Sequence, residues 1–343
     1  MNRPPTATSS VYPGSPDGDE LGAIPVGYAT REPGIVLDQA VPDNGYLWWY
    51  VDAISDDGTQ AMTLIVFVGS VFSPYYAKAR KRRPQNAEEH CAFNTILYGP
   101  GSKRLWSMTE RAGRHLRRTP ERYELGPSAL HWDGGELIAD IDERCTPFPR
   151  RMRGQIRVTP AAMTGHTFEL DENAHHRWHP LAPISRVSVD FPELGVSWEG
   201  DGYLDQNDGN EPLADGFTGW DWTRARLANG DCAVHYEARS PHRQPRRLAL
   251  RFDDAGNVSA APVSNSADLP ITPIWRVNRR MPSANGSSAL QRTLEDTPFY
   301  ARSVIDASFH GEKAEGVHES LDMNRFEQGW VQRLLPFRMP RRS

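Results

Sequence analysis

WWYVDAISDDG at residues 48–58, followed by TLIVFVGSVF at 63–72, decides the fold class. The first segment alternates large apolar with polar residues, the period of a half-buried strand. It ends on Asp56-Asp57-Gly58, a turn signal. The second is β-branched and aromatic, and Gly69 inside it reads as a bulge. Together they predict a β-hairpin. Similar segments follow with Gly or Pro between them: HCAFNTILYG (90–99), ALHWDG (129–134), GELIADIDE (135–143) and GQIRVTP (154–160). The second half repeats the style with RVSVDFP (186–192), GVSWEG (195–200), residues 219–239 and RRLALRFDDAGNVS (246–259). Helical periodicity is confined to a short stretch at 77–83. Many short strands with regular turns predict an all-β barrel or sandwich class. A chain of 343 residues holds two such units at ~150 residues each. Prolines 180 and 183 interrupt the pattern and set the expected boundary. The predicted organisation is a flexible polar tail (1–22), an N-terminal barrel (23–185) and a C-terminal barrel (186–343).

The formal net charge is −5 and the isoelectric point about 6.1, a balance that gives no reason to expect nucleic acid as a partner. Basic runs at 78–84 (KARKRRP), 114–118 (RHLRR) and 338–343 (RMPRRS) read as solvated faces, with anionic lipid as the functional alternative. Cys91, Cys145 and Cys232 form no metal or disulfide pattern and fit a reducing cytoplasm. The start carries no apolar core of a signal peptide. The longest apolar run, 62–72, is well short of the ~20 residues a spanning helix needs. Ten Trp in a chain of mean hydropathy −0.61 point to a polar exterior around aromatic interiors.

Residues 175–217 carry the candidate chemistry. His176 and Trp178 stand at i, i+2, as do Tyr203 and Asp205. On strands each pair shares a face. Two adjoining strands would present an acid, an imidazole, a phenol and an indole to one cavity, near the predicted boundary. An acid beside an aromatic face is what protonation of a carbon–carbon double bond needs. Tyr50 and Asp52 have the same spacing next to Trp48 and Trp49, so Asp52 competes with Asp205 on these grounds. His175, His176 and His179 lack the helix and the glutamate of a zinc motif, and no metal is expected. Residues 205–211 (DQNDGNE) start like a calcium loop but lack its closing glutamate; 207–210 reads as a turn. No nucleotide-binding glycine motif is present, and no cofactor is expected.

In full, the chain resembles the carotenoid 1,2-hydratase family of phototrophic bacteria, also called hydroxyneurosporene synthases. The resemblance rests on GYLWWYVDAISDDG from Gly45, FVGSVFSPYYA from Phe67, HCAFNTILYG from His90, WSMTER from Trp106, WEGDGYLDQNDGNEPLADGF from Trp198, LEDTPFYARS from Leu294 and WVQRLLPFRMPRR from Trp330. It implies a pair of lipocalin-like antiparallel β-barrels. It further implies a cofactor-independent, metal-free addition of water across the terminal C1–C2 double bond of acyclic carotenoids such as neurosporene and lycopene. The family's pairing of H-x-W with Y-x-D falls on His176, Trp178, Tyr203 and Asp205, which ranks Asp205 above Asp52. Asp205 would protonate C2, leaving a tertiary cation at C1. For that it must be neutral near pH 7, roughly 3 units above the ordinary Asp value, at a cost of about 4 kcal/mol. Trp178 would face the cation, His176 would orient the water or take its proton, and Tyr203 would hold the water or hydrogen-bond Asp205. The aromatic side chains expected along the substrate are Trp48, Trp49, Tyr50, Phe72, Tyr75, Trp220 and Trp222. A cofactor-free terpenoid cyclase or isomerase and a non-catalytic carrier of a hydrophobic ligand are the alternatives. A lipid-soluble substrate implies peripheral contact with the inner or photosynthetic membrane from the cytoplasm, with an apolar rim near Trp48–Trp49 or 72–76 beside the basic run at 78–83.

Overall fold

The structure, a computed structural model, describes residues 27–99, 103–241, 243–261, 266–282, 288–309 and 311–342; the expected tail at 1–22 lies outside them. The strands are β1 (Tyr28–Thr30), β2 (Tyr46–Ser55), β3 (Ala61–Val68), β4 (Cys91–Tyr98), β5 (Arg104–Arg111), β6 (Leu116–Thr119), β7 (Arg122–Leu125), β8 (Ser128–Trp132), β9 (Leu137–Arg144), β10 (Arg151–Pro160), β11 (His166–Glu169), β12 (His176–Phe191) and β13 (Val196–Gly209). They continue as β14 (Gly219–Arg226), β15 (Cys232–Arg239), β16 (Arg246–Phe252), β17 (Val258–Ala260), β18 (Ser266–Leu269), β19 (Arg279–Pro282), β20 (Ala289–Asp296), β21 (Tyr300–Phe309), β22 (Glu312–Asp322) and β23 (Arg341–Arg342). Helices are short: α1 (Pro74–Arg80), α2 (Leu213–Gly216), α3 (Met323–Phe326) and α4 (Gly329–Arg338).

The chain is all-β in class and lipocalin-like, built on two curled sheets, antiparallel except for the β5–β23 pairing. The first runs β6-β7-β8-β9-β10-β12-β13-β2-β3-β4-β5-β23, and the second runs β17-β16-β15-β14-β22-β21-β20. Among the described residues neither path closes into a hydrogen-bonded ring. Curling of the first sheet is fixed across its concave side, where buried Arg111 on β5 donates to both carboxylate oxygens of Glu143 on β9 at 2.8 Å. Alternation on β2 then builds two cores at once. Leu47, Trp49, Val51 and Ala53 point into the first barrel with Met62, Leu64 and Val66. Tyr46, Trp48 and Tyr50 point the opposite way, onto Trp220, Trp222, Tyr236 and Leu248 of the second sheet. Each such side chain stabilises by about 1.5–3 kcal/mol on burial. The functional face is therefore the outside of the first barrel, roofed by the second sheet.

Several local expectations change. Ser185 lies inside β12, and the first sheet keeps the chain as far as Gly209; the second begins at Gly219. Proline cannot donate to a ladder, and here Pro180 and Pro183 fall where the β12–β13 register shifts, between His179 and Ala182 and between Ala182 and Ser185. The strand absorbs them rather than ending. Residues 207–209 are strand, not turn. Asp208 is held there by Arg177 at 2.8 Å and His179 at 2.6 Å. Gly69 ends β3 instead of bulging it. Its φ of 70° suits glycine, and a Cβ there would lie 2.5 Å from the Gly45 carbonyl oxygen. The chain then turns into α1, whose start at Pro74 is capped by Ser73 Oγ, accepting from the Tyr75 and Tyr76 amides at 3.1 and 3.0 Å. That turn places Phe72 over the functional face. No described helix is long and apolar enough to cross a membrane.

Candidate active site

The register of three adjacent strands assembles the site. On β13 Asp205 stands opposite Tyr50 of β2, and Asn207 stands between Trp48 of β2 and Trp178 of β12. Trp178 Nε1–H donates to Asp205 Oδ2 at 2.8 Å, and the Tyr203 hydroxyl donates to the same oxygen at 3.0 Å. Oδ1 is buried and has no protein partner. Burial pushes the Asp205 carboxyl well above the ordinary range, outweighing the two hydrogen bonds that favour its charged form; nearby Glu319 and Asp52 push it further up. Two donors on Oδ2 make it the carbonyl-like oxygen, so the acidic proton sits on Oδ1.

Asp205 opens onto a cavity of about 50 Å³ between the sheets, lined by Trp48, Tyr50, Trp220, Trp222 and Tyr236 among others. A second cavity of about 400 Å³, overwhelmingly apolar, shares Ile65, Phe72 and Tyr300 with the first. It runs past Ile96, Trp106 and Met108 to α4. The two lie side by side across these three residues, with the Asp205 carboxyl bordering the inner one.

Asp52 stands on the same face in the opposite electrostatic state. Burial pushes its carboxyl up, but the Arg224 and Arg302 guanidiniums win and hold it below the usual range. Arg224 donates to Asp52 at 2.6 Å and Arg302 lies 3.0 Å from it; the Tyr50 hydroxyl lies 2.8 Å from it. Asp52 is thus an anion in a buried ion cluster, with no proton to give at neutral pH. These two arginines are what distinguishes the environment of Asp52 from that of Asp205.

The other expected residues divide. Trp48, Tyr50, Phe72, Trp220 and Trp222 line the inner cavity. Trp49 does not: one residue out of phase, it points into the first barrel, edge-on to Tyr123 at 5.8 Å. Tyr75 lies on α1 next to Arg341, outside both cavities. Trp178 and Tyr203 are wholly buried behind Asp205 and do not line the cavity. His176 shares the face of Trp178, yet its ring is committed elsewhere: Nδ1 to the Tyr46 hydroxyl at 2.9 Å and Nε2 to Glu211 at 3.2 Å. Burial, against the pull of Asp171 and Glu211, lowers its pKa and keeps the ring neutral. His175 also meets Glu211, at 2.7 Å, whereas His179 turns to Asp208. The three imidazoles do not converge.

Sequence reasoning missed Glu319, a second carboxyl on the inner cavity. The Tyr50 hydroxyl, whose one proton Asp52 and Glu319 compete for, lies 2.6 Å from it, and Arg302 donates to the same oxygen. Burial raises its pKa despite Arg302. The available signal was alternation in β22, where Val317, Glu319 and Leu321 share an otherwise apolar face.

The profile of the family described as "Carotenoid hydratase CrtC" matches residues 64–343. The chain is 47% identical to an acyclic carotenoid 1,2-hydratase of Thiocapsa roseopersicina over 95% of its own length and 80% of that protein. It is 46% identical to the Rubrivivax gelatinosus protein of the same name, over 90% and 76% of the two chains. A crystal structure of an AttH-type protein from Nitrosomonas europaea superposes with a TM-score of 0.54, covering 85% of this chain and 98% of that one. At 16% identity it shares the fold alone. From the profile match and these two relatives, this chain belongs to the carotenoid hydratase family.

Proposed function

We propose that the protein is a carotenoid 1,2-hydratase, a hydro-lyase that adds water to the terminal C1–C2 double bond of an acyclic carotenoid. The observation that carries this is Asp205: a buried carboxyl whose pKa burial pushes well up, one oxygen without a protein partner beside the inner cavity and the other held by two donors. The ψ-end of the substrate enters past Phe72. The alkene π pair takes the Oδ1 proton, forming the C2–H bond and leaving the positive charge on tertiary C1. Faces of Trp48, Tyr50 and Trp222 lie around this point and favour the cation. A water then bonds to C1 through oxygen, and its surplus proton returns to the Asp205 carboxylate, so the acid is restored. In the interval between the two transfers, Trp178 and Tyr203 stabilise the carboxylate. Their role is positioning; the cation faces the cavity aromatics, and His176 braces Tyr46 against Trp48 rather than handling the water. Glu319 and Asn207 are the polar groups that can hold the water beside C1. The enzyme works as a peripheral protein at a membrane surface, where its substrate resides.

A product carrying one added water, formed anaerobically from lycopene or neurosporene, tests the reading. In D2O one deuterium is expected at C2 of that product. An isomer of unchanged mass would mean a cyclase or isomerase, and unchanged pigment would mean a carrier.

The pH dependence has a definite sign. Asp205 is active when protonated, so activity is full below its raised pKa and falls as pH rises through it. Tyr203 favours the carboxylate. Tyr203→Phe should therefore move this alkaline limb to higher pH and slow turnover by about tenfold or more, since a hydrogen bond to a charged group is worth ~1.5–3 kcal/mol. A pH–rate profile of the variant with an unmoved limb would refute the contact's role.

A further inference from the structure

One end of the larger cavity is ringed by the residues that least belong in water. Among the described residues, every strongly exposed large apolar side chain except Val36 lies in three segments: α4, the 271–276 loop and the 146–150 loop. Trp330, Leu334 and Phe337 stand at i, i+4 and i+7 on α4 and form one stripe; Val331 and Leu335, about 100° round the helix, form a buried stripe beside it. Leu334 and Phe337 line the 400 Å³ cavity while being 41% and 76% exposed, which puts them at its mouth. Trp275, another lining residue, stacks on Trp330 with ring centroids 5.8 Å apart. Ile274 beside it is 73% exposed. Its loop is pinned, because Asp296 accepts from the Ile274 and Trp275 amides at 2.7 and 3.2 Å. Phe148 is 81% exposed, and its loop joins the same end through the Thr146 hydroxyl, which donates to the Arg338 carbonyl at 2.9 Å.

The charge on and after α4 is positive, although Arg341 pairs with Glu110 and the half-buried Asp296 lies within the rim. Arg333, Arg338, Arg341 and Arg342 follow, and the sequence has no Asp or Glu after Glu327, although the whole chain is −5. Arg333 and Arg342 are exposed. Arg338 lies over the Trp106 ring, which itself lines the cavity. Apolar and indole side chains ringed by arginines fit an anionic bilayer surface, with the apolar tips among acyl chains and the Trp and Arg groups at headgroup level. A rim continuous with an apolar cavity also lets a lipid-soluble molecule pass from bilayer to cavity without crossing water.

From these observations we infer that α4, with the 271–276 and 146–150 loops, is a membrane-docking rim that seats the cavity mouth on an anionic lipid bilayer. The inference rests on the hydratase reading only for the nature of the cargo. It also relocates the expected rim: Trp48 and Trp49 are buried between the sheets and in the barrel, and α1, although packed against α4, contributes no residue to the cavity lining.

The test uses the full chain and its Phe148→Glu/Ile274→Glu double variant. Both side chains are exposed and neither lines a cavity, so folding and turnover of detergent-dispersed substrate should be unchanged. The probe is flotation with vesicles of equal parts phosphatidylglycerol and phosphatidylcholine at low salt. Wild type should float, and the double variant should lose about tenfold or more in vesicle partitioning, the scale of two apolar anchors replaced by charges. Failure of wild type to float, or equal flotation of both proteins, would overturn the rim. So would a solution dimer that the double variant splits, since the rim would then be an interface between copies. Wild type that floats but leaves dispersed carotenoid unaltered would count against the hydratase reading and not against the rim.

Discussion

Asp205→Asn is expected to lose at least ~100-fold in rate, the scale of a single general acid, with little loss of stability. The amide has the shape of the acid and keeps an oxygen for Trp178 and Tyr203 to donate to. What it lacks is a proton on Oδ1, the oxygen left without a protein partner, whereas the other carboxyl on the inner cavity, Glu319, is engaged by Tyr50 and Arg302. Removing a buried titratable group also removes its linkage to pH. The raised pKa of Asp205 means that its contribution to stability is present at low pH and is lost as pH rises through the folded-state value. The variant's stability should accordingly fall less steeply toward alkaline pH than that of wild type. Steady-state rates on dispersed substrate, paired with thermal melts across pH, check both halves. A variant turning over near the wild-type rate would remove Asp205 from the mechanism.

Asp52→Asn is expected to do the reverse. Its carboxylate lies between the Arg224 and Arg302 guanidiniums, all three side chains almost fully buried. Taking one charge from a buried ion cluster costs about 3–5 kcal/mol, because the partners stay charged and lose their compensation. Arg224 retains Asp201 at 2.5 Å and Arg302 retains Glu319, which places the loss at about 3 kcal/mol, the lower end of that range. The sign with pH is opposite to that of Asp205. A depressed pKa gives stability that is present above the unfolded value and lost as pH falls through the folded one, so the variant should be the less acid-sensitive protein. Denaturant titrations at neutral and acid pH measure this. A variant as stable as wild type but inactive would return the proton donor to the Tyr50–Asp52 pair.

Much of the fold could be read before any coordinates because the strands carry their period openly. In β2 the alternation of Tyr46, Trp48, Tyr50 and Asp52 with Leu47, Trp49, Val51 and Ala53 separates two faces cleanly. Sequence could not say that both faces are buried, one in a barrel and one against another sheet, and that ambiguity put Trp49 among the substrate-lining residues. Prolines 180 and 183 misled for a related reason. Their missing donors fall at register shifts, which a strand tolerates, so a chain break was read where only a pairing irregularity exists.

At the site, the i, i+2 spacing expects Trp178, Tyr203 and Asp205 on one face, where Tyr203 makes the hydrogen bond to Asp205 that was one of the two roles expected of it. Spacing fixes a face and not a contact, and Trp178 proves to hold the acid instead of facing the cavity. His176 shares the face but spends its ring on Tyr46 and Glu211. Glu319 stayed hidden because it arrives from β22, distant in sequence, through the packing of the second sheet on the first. The rim on α4 was hidden for want of length: a ten-residue helix with a proline in it shows little periodicity until its buried stripe is seen.

The most direct test of the acid's protonation state is a difference infrared spectrum, at neutral pH, between wild type and Asp205→Asn. A neutral buried Asp205 gives a protonated-carboxyl C=O band in wild type that is missing from the variant and shifts in D2O. A spectrum in which the variant instead loses only carboxylate bands would mean that Asp205 is ionised, and it could not then be the group that protonates the double bond.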